Sequence, residues 1–326
     1  MVVKKSSIRT WSRLGQRGCV FGLMMPELAA KQDNLKLLTA DLSLLSGMDR
    51  FIKEYPEQFL NVGIAEQNMI GIAAGMAMEG ACVFATTYAS FIAVRSLEHV
   101  RQHLAHLHCN VKLIGSSAGV TAAKSGVSHW ATEDIAFMRA LPGMIVLSPA
   151  DGLEAMKAVE YAAGIDGPVY IRLSGGLNCP AVYDADYEFQ AGKNIVCREG
   201  KDTVIFATGL MVREALDAAE LLMEQGIDAK VVNVHTLKPF DRENAQSAFR
   251  QYRTIFTVEE HNVTGGLGGA MAETMSEYPN TPRLVRLGFG EMYLQAGSPR
   301  YVWQQAGLTA EQIADRVRME LGEENC

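Results

Sequence analysis

Short apolar runs alternate with stretches of helical periodicity along nearly the whole chain. In the first half the runs read "LKLLT", "FLNV" (59–62), "CVFAT" (82–86), "VKLIGS" (111–116), "MIVLS" (144–148) and "PVYIRL" (168–173). Predicted helices at 66–79, 89–107 and 151–163 lie between them. Strands that are apolar throughout, and separated by helices, predict a mostly parallel sheet covered on both faces. Around 175–190 the pattern lapses into "GGLNCPAVYDADYEFQ", rich in turn formers. It resumes with "TVIFAT" (203–208), "AKVVNV" (229–234), "TIFTVE" (254–259) and "LVRL" (284–287). Helices are predicted at 210–225, 241–250, 268–277 and about 308–321. The expectation is an α/β protein of two doubly wound domains with mostly parallel sheets, at 1–180 and 193–326, joined by a linker at 181–192.

Composition narrows the possibilities. At 326 residues, with 48% hydrophobic and 21% charged residues, the chain has the makeup of an ordinary soluble globular protein large enough for two cores. A net charge of −7 argues against a broad surface for nucleic acid or anionic membrane. A local basic pocket for a phosphorylated substrate stays open. Cys19, Cys82, Cys109, Cys179, Cys197 and Cys326 are scattered without a CxxC pair, a usage that suits reduced thiols and a cytoplasmic location. The basic start is followed by only the short apolar "CVFGLMM" and then "PELAAKQDN", which reads as an ordinary first helix. No run approaches the ~18 apolar residues of a membrane span.

Three features of the first half could carry chemistry. Glu66 stands at the mouth of the small-residue helix in "NVGIAEQNMIGIAAGMAMEG" (61–80), where the helix dipole alone can explain a carboxylate. Tyr88 and Phe91, three apart in "TTYASF", can face one side as the chain leaves a strand and could form a platform for a flat heterocycle. His129 closes the turn-prone "KSGVSHW" (124–130) and is a possible acid, base or donor. Each taken alone is more economically read as structure.

Together, in this order and spacing, they resemble the C-terminal half of transketolases, a pyrimidine-binding domain followed by a transketolase C-terminal domain. The resemblance runs from about residue 16 to 320. It rests on "LLTADLS" (37–43), "FLNVGIAEQNMIGIAAGMAMEG", "TTYASFIAVRSLEHVR", "GVSHWATEDIAFMRALPGMIVLSPAD" and "VEEHNVTGGLGG" (258–269). It implies thiamine diphosphate as cofactor, with Glu66 hydrogen-bonded to the pyrimidine ring so that the cofactor acts as its own base. A buried carboxyl held poised between its charged and neutral forms suits that task. The resemblance also implies that Tyr88 and Phe91 hold the pyrimidine, that Asp41 and Leu42 border the thiazolium, and that His129 faces donor or intermediate oxygens.

The family's diphosphate and magnesium element, a GDG followed by paired asparagines, has no counterpart here; "GIDG" (164–167) is followed directly by a strand. The resemblance therefore implies a separate N-terminal transketolase subunit that carries this motif and the Mg2+ ligands, with self-association giving a heterotetramer. No metal ligand is expected from this chain. The loop "SSAGVTAAKSGVSHW" (116–130) departs from the family. Ser117 replaces a histidine, Lys124 and Ser125 replace an acidic pair, and Trp130 replaces a glutamine. An arginine after the last strand gives way near Gly175 and Gly176, while Arg17 stands near another family arginine. Ser117, Lys124, Ser125 and Arg17 are thus the substrate-contact candidates, and a non-standard sugar is the expected substrate.

The implied activity is transfer of a two-carbon ketol unit from a ketose to an aldose. Alternatives are a carboligase of the deoxyxylulose-phosphate-synthase type, a 2-oxoacid dehydrogenase β subunit, or a non-catalytic regulator of a complete transketolase. Other patterns carry less. His99, His103 and His106 share one predicted helical face without a completing carboxylate or cysteine. "GGLGGAMAE" (265–273) fails the dinucleotide-loop pattern at Met271 and reads as a helix entry. His261 is expected in a loop at a domain or subunit interface.

Overall fold

The apolar runs pair side by side as parallel strands, and they do so in two sheets. The computed structural model describes residues 4–323; Cys326 lies outside them. The first sheet contains β1 (Leu35–Thr39), β2 (Phe59–Asn61), β3 (Cys82–Tyr88), β4 (Val111–Ser116), β5 (Ile145–Leu147) and β6 (Val169–Leu173). The second contains β7 (Ile195–Arg198), β8 (Thr203–Ala207), β9 (Ala229–Asn233), β11 (Thr254–Asn262) and β12 (Arg283–Phe289). One strand from the second half, β10 (Thr236–Lys238), crosses over and joins the first sheet antiparallel to β5. The orders are β10-β5-β6-β4-β3-β1-β2 and β12-β11-β8-β9-β7. Among the described strand pairs, β10–β5 and β7–β9 are antiparallel and the others parallel. This is the α/β architecture expected of fully apolar strands that alternate with helices.

Helices cover both faces of each sheet and leave separate cores. One core packs the helix Glu66–Met78 against β1, β3 and β4, and continues into the second half through Phe206, Ile255 and Leu267. A second lies under the N-terminal helices and the helix Gly152–Ala163. A third, around Phe256 and Ile313, takes in Val120, Ala123 and Trp130 from the first half. The loop that bears the substitutions at 117–130 is therefore fastened to the second sheet by its own tryptophan, whose Nε1 donates to Ala123 O at 3.3 Å.

Several predicted elements differ in detail. The helix expected over 89–107 is broken at Ser96 into a wide π-helical turn Phe91–Arg95, a short segment Leu97–His99 and a second wide turn Val100–His106. His261 does not lie in a loop but at the end of β11, fully buried. The helix Glu66–Met78 packs on one side only. Gly71 and Gly75 have nothing within 4 Å of a would-be Cβ, and Gln67, Asn68 and Met78 beside them are exposed. Among the described residues no helix is long and apolar enough to cross a membrane.

Candidate functional site

Parallel sheets place their ligand sites at the carboxyl ends of the strands, and the candidate residues collect there. Register brings Thr39 of β1 beside Asn61 of β2 and Thr86 of β3, and Tyr88 of β3 beside Ser116 of β4. The chain then leaves each strand into a candidate: Asp41 and Leu42 after β1, Glu66 after β2, Phe91 after β3, and Ser117 to His129 after β4.

Glu66 is the first residue of its helix and only 4% exposed. The preceding Ala65 supplies no side-chain cap, and the uncapped positive end of the helix favours a carboxylate at its first residue. It is not the solitary buried acid expected from its apolar helix. Arg95 Nη1 donates to its Oε1 at 2.8 Å. Sequence reasoning missed Arg95; the available signal was its position one turn beyond Phe91. Its guanidinium carbon also lies 3.9 Å from the Phe91 ring centroid, a stacked cation–π contact.

Phe91, Tyr88 and His129 form a cluster of three rings. Tyr88 and Phe91 meet edge to face at 5.4 Å between centroids. His129 approaches Tyr88 at 5.3 Å and Phe91 at 5.3 Å. It sits on a short turn, Val127–His129, and its Nδ1 is 3.0 Å from Ser128 Oγ. Beside these rings a cleft of about 380 Å³ is lined by Phe91, Val94, Arg95, Val127, Trp130 and Tyr293, among others. Ser90 Oγ, also on its wall, is buried without a partner. A stacking face, a buried carboxyl and a cleft of that volume suit a planar nitrogen heterocycle.

The remaining candidates fall around this centre. Asp41 adopts a left-handed φ of 59°, stabilised by exchange with Asn61: Asp41 N donates to Asn61 Oδ1 and Asn61 Nδ2 donates to Asp41 Oδ1, both at 3.0 Å. Leu42 N donates to Thr39 Oγ1 at 3.2 Å. Neither touches the ring cluster through a described contact. Burial lowers the pKa of Arg17, an effect opposed electrostatically by Tyr88. Ser117 is buried with φ 55°, while Lys124 and Ser125 are exposed on the turn Ala123–Ser125. The loop at Gly175 and Gly176 packs too closely on the first helix for any longer side chain at Gly15, whose Cβ would stand 1.9 Å from Gly176 O. Gln16 Oε1 accepts from Gly175 N at 2.7 Å, and Gln16 Nε2 donates to Pro149 O at 2.8 Å.

The secondary patterns resolve into structure. His99 and His103 rings lie 5.6 Å apart, but among the described residues no group of three or more His, Cys, Asp or Glu could hold a metal. The glycine-rich entry at 265–269 starts a helix whose first N–H groups are already taken. Leu267 N and Gly268 N donate to Glu259 at 2.6 and 2.7 Å. His261 packs beneath the helix Asp134–Ala140, accepting from Ala136 N at 3.4 Å, and burial lowers its pKa to about 4. Burial likewise pushes the Cys19 and Cys179 thiols up to about 12.

Comparison with known proteins follows the same outline. Residues 17–179 match the sequence model of the transketolase pyrimidine binding domain, and 192–313 that of the transketolase C-terminal domain. A solved structure described as a split gene transketolase, inactive beta4 tetramer, superposes with a TM-score of 0.85 at 39% identity, over 94% of this chain and 98% of that one. The 6-deoxy-6-sulfo-D-fructose transketolase subunit SqwH of Clostridium sp. is 41% identical over 89% of each chain. A subunit of the apulose-4-phosphate transketolase of Actinobacillus succinogenes is 35% identical over 85% of this chain and 89% of its own length.

Proposed function

The chain belongs to the transketolase family, and from that premise we propose that it is the C-terminal subunit of a two-chain transketolase. Membership implies dependence on thiamine diphosphate. The reaction assigned is transfer of a two-carbon ketol unit from a ketose donor to an aldose acceptor, with the active site completed by a separate diphosphate-binding chain. When bound, thiamine diphosphate supplies the carbon centre that carries the two-carbon unit.

This chain's residues hold and polarise the pyrimidine end. Glu66 would accept or share a hydrogen bond with a ring nitrogen from a buried position where little water competes. Phe91 and Tyr88 give the ring a face and an edge. His129, seated on both aromatics and oriented by Ser128, directs a ring nitrogen toward substrate oxygens. Asp41 and Leu42, on a loop braced by Asn61, would border the thiazolium. The observation that carries the reading is the buried Glu66 carboxyl linked, through Arg95, to the Phe91 face.

Substrate choice is assigned to Arg17, Ser117, Lys124 and Ser125. Arg17 is a cation with no described carboxylate partner and interacts electrostatically with Tyr88, which suits an anionic sugar. Two relatives are named for unusual sugars, a sulfofructose and apulose phosphate, and a non-standard ketose is proposed here as well. Mg2+ and the diphosphate are assigned to the partner. The exposed side of the helix Glu66–Met78, with open space at Gly71 and Gly75, can admit another backbone closely and is the proposed self-association face of a cytoplasmic heterotetramer.

The test mixes this chain with a diphosphate-binding transketolase chain, thiamine diphosphate and Mg2+, and screens phosphorylated, sulfonated and neutral ketoses. Ketol transfer without carbon dioxide release is expected. Turnover only of a 2-oxoacid, with carbon dioxide released, would move the chain to the carboligase alternative. Turnover unchanged by Glu66→Ala would make it a regulator.

A further inference from the structure

Arg95 touches both groups on which the proposed ring site depends. Its Nη1 donates to the Glu66 carboxylate at 2.8 Å, and its guanidinium lies 3.9 Å from the centroid of Phe91. A guanidinium is flat, donates hydrogen bonds from its edge and stacks through its face. An aminopyrimidine would use Glu66 and Phe91 in the same two ways. One arginine therefore fills the position that the heterocycle requires.

The geometry also shows how it could leave. Glu66 is fixed at a helix start with its side chain 5% exposed, whereas the Arg95 side chain is 46% exposed. The backbone of Arg95 is held independently, because Gln67 Nε2 donates to its carbonyl oxygen at 3.0 Å. Rotation of the Arg95 side chain into solvent breaks an ion pair and a stacking contact but leaves the wide turn Phe91–Arg95 in place. Arg95 itself lines the adjoining cleft of about 380 Å³, so its side chain borders open volume into which it can turn.

We propose that Arg95 is a positioning residue that mimics the cofactor ring in the free chain, keeping Glu66 and Phe91 covered until a heterocycle displaces its guanidinium. This rests on the assignment of Glu66 and Phe91 to the pyrimidine. A site that must first be vacated binds with an affinity reduced by the fraction of chains that are open. A half-exposed ion pair plus a cation–π contact corresponds to a reduction of roughly tenfold.

The experiment measures equilibrium binding of thiamine, which lacks the diphosphate and so reports on the ring end, to the full chain by calorimetry. The variants are Arg95→Met, Arg95→Lys and Glu66→Gln, each checked for an unchanged melting profile. Arg95→Met is expected to bind roughly tenfold tighter, and Arg95→Lys, which keeps the charge but loses the flat fork, to fall between it and the parent. Adding Glu66→Gln is expected to abolish the gain. In the assembled pair, Arg95→Met should lower KM for thiamine diphosphate by a larger factor than it alters kcat. If Arg95→Met binds thiamine no better than the parent while Glu66→Gln still weakens binding, the cover is refuted and the cofactor site stands. Thiamine binding that ignores Glu66, or that none of the chains shows, overturns both.

Discussion

Two clusters of charged and aromatic side chains lie in this fold, one at the strand ends around Phe91 and one at the junction of the two sheets, and they are built in opposite ways. At the junction, Arg172 is 1% exposed and its donors end on three residues, two from the segment 131–134 and one from β11. Its Nε donates to the two Asp134 oxygens at 3.1 and 2.9 Å, and its Nη2 to Ala131 O at 3.1 Å and Glu260 O at 2.9 Å. Tyr170 OH donates to Asp134 at 2.7 Å. Glu260 Oε1 accepts from Val120 N at 3.1 Å and from Trp303 Nε1 at 2.8 Å, tying the 116–130 loop to the second half. Around Phe91, by contrast, Arg95 is half in solvent, Lys124 and Ser125 are exposed, and a cleft adjoins the rings.

The contrast shows that displaced acidity alone is a poor guide to chemistry. Burial raises Glu259 and Glu260 to about 7, yet Glu259 accepts structural hydrogen bonds through both oxygens and Glu260 through Oε1. Such values reflect desolvation of groups whose task is to join elements. What marks the Phe91 cluster is different: a carboxyl and a ring face presented at strand carboxyl ends, beside open volume.

Substitutions can separate the two clusters. Glu66→Gln in the assembled pair should cut kcat by about a thousandfold, within the span of general acid–base contributions, with the melting temperature of the chain little changed. Arg172→Ala should do the reverse. It strands Asp134 without its cation and should lower unfolding free energy by about 3–5 kcal/mol in denaturant titrations of the chain. Glu260→Gln sharpens the same point through pH. The folded-state value near 7 lies above the ordinary 4.5, so the native state binds more protons between those limits. The resulting stability is full below pH 4.5 and is lost as pH rises toward 7, amounting to about 3 kcal/mol at most. The melting temperature of the parent should therefore fall relative to that of Glu260→Gln from pH 5 to 8; parallel curves would contradict it. Phe91→Ala, which removes the stacking face, should raise KM for thiamine diphosphate roughly tenfold. At the small end, His103→Ala should change activity negligibly and stability by no more than about 0.5 kcal/mol.

Much of this was legible in the chain itself, and the parts that were not share a cause. Apolar runs such as "CVFAT" and "VKLIGS" marked buried parallel strands because such strands are covered on both faces. Glu66, Tyr88, Phe91 and His129 were visible as local motifs, each set by the strand it ends or follows. β10 escaped because a three-residue strand pairing across the halves leaves no periodic trace. The helix Pro299–Ala306 escaped because its polar face dominates its short length. The junction cluster was unreadable for a further reason: Asp134, Arg172 and Glu260 are far apart in sequence and meet only after both sheets form. Arg95 stood in plain view, but its meaning depended on a wide turn that swings it over Phe91. Trp130 looked like a change in the substrate loop and proved to be an anchor into the third core.

The most direct test of the account is the distance between a Glu66 carboxyl oxygen and the nearest pyrimidine ring nitrogen in a structure of the assembled pair with thiamine diphosphate and Mg2+. A hydrogen bond of about 2.6–3.2 Å is expected, with the ring on Phe91 and Arg95 turned out. A ring bound elsewhere, with Glu66 still paired to Arg95, would contradict it.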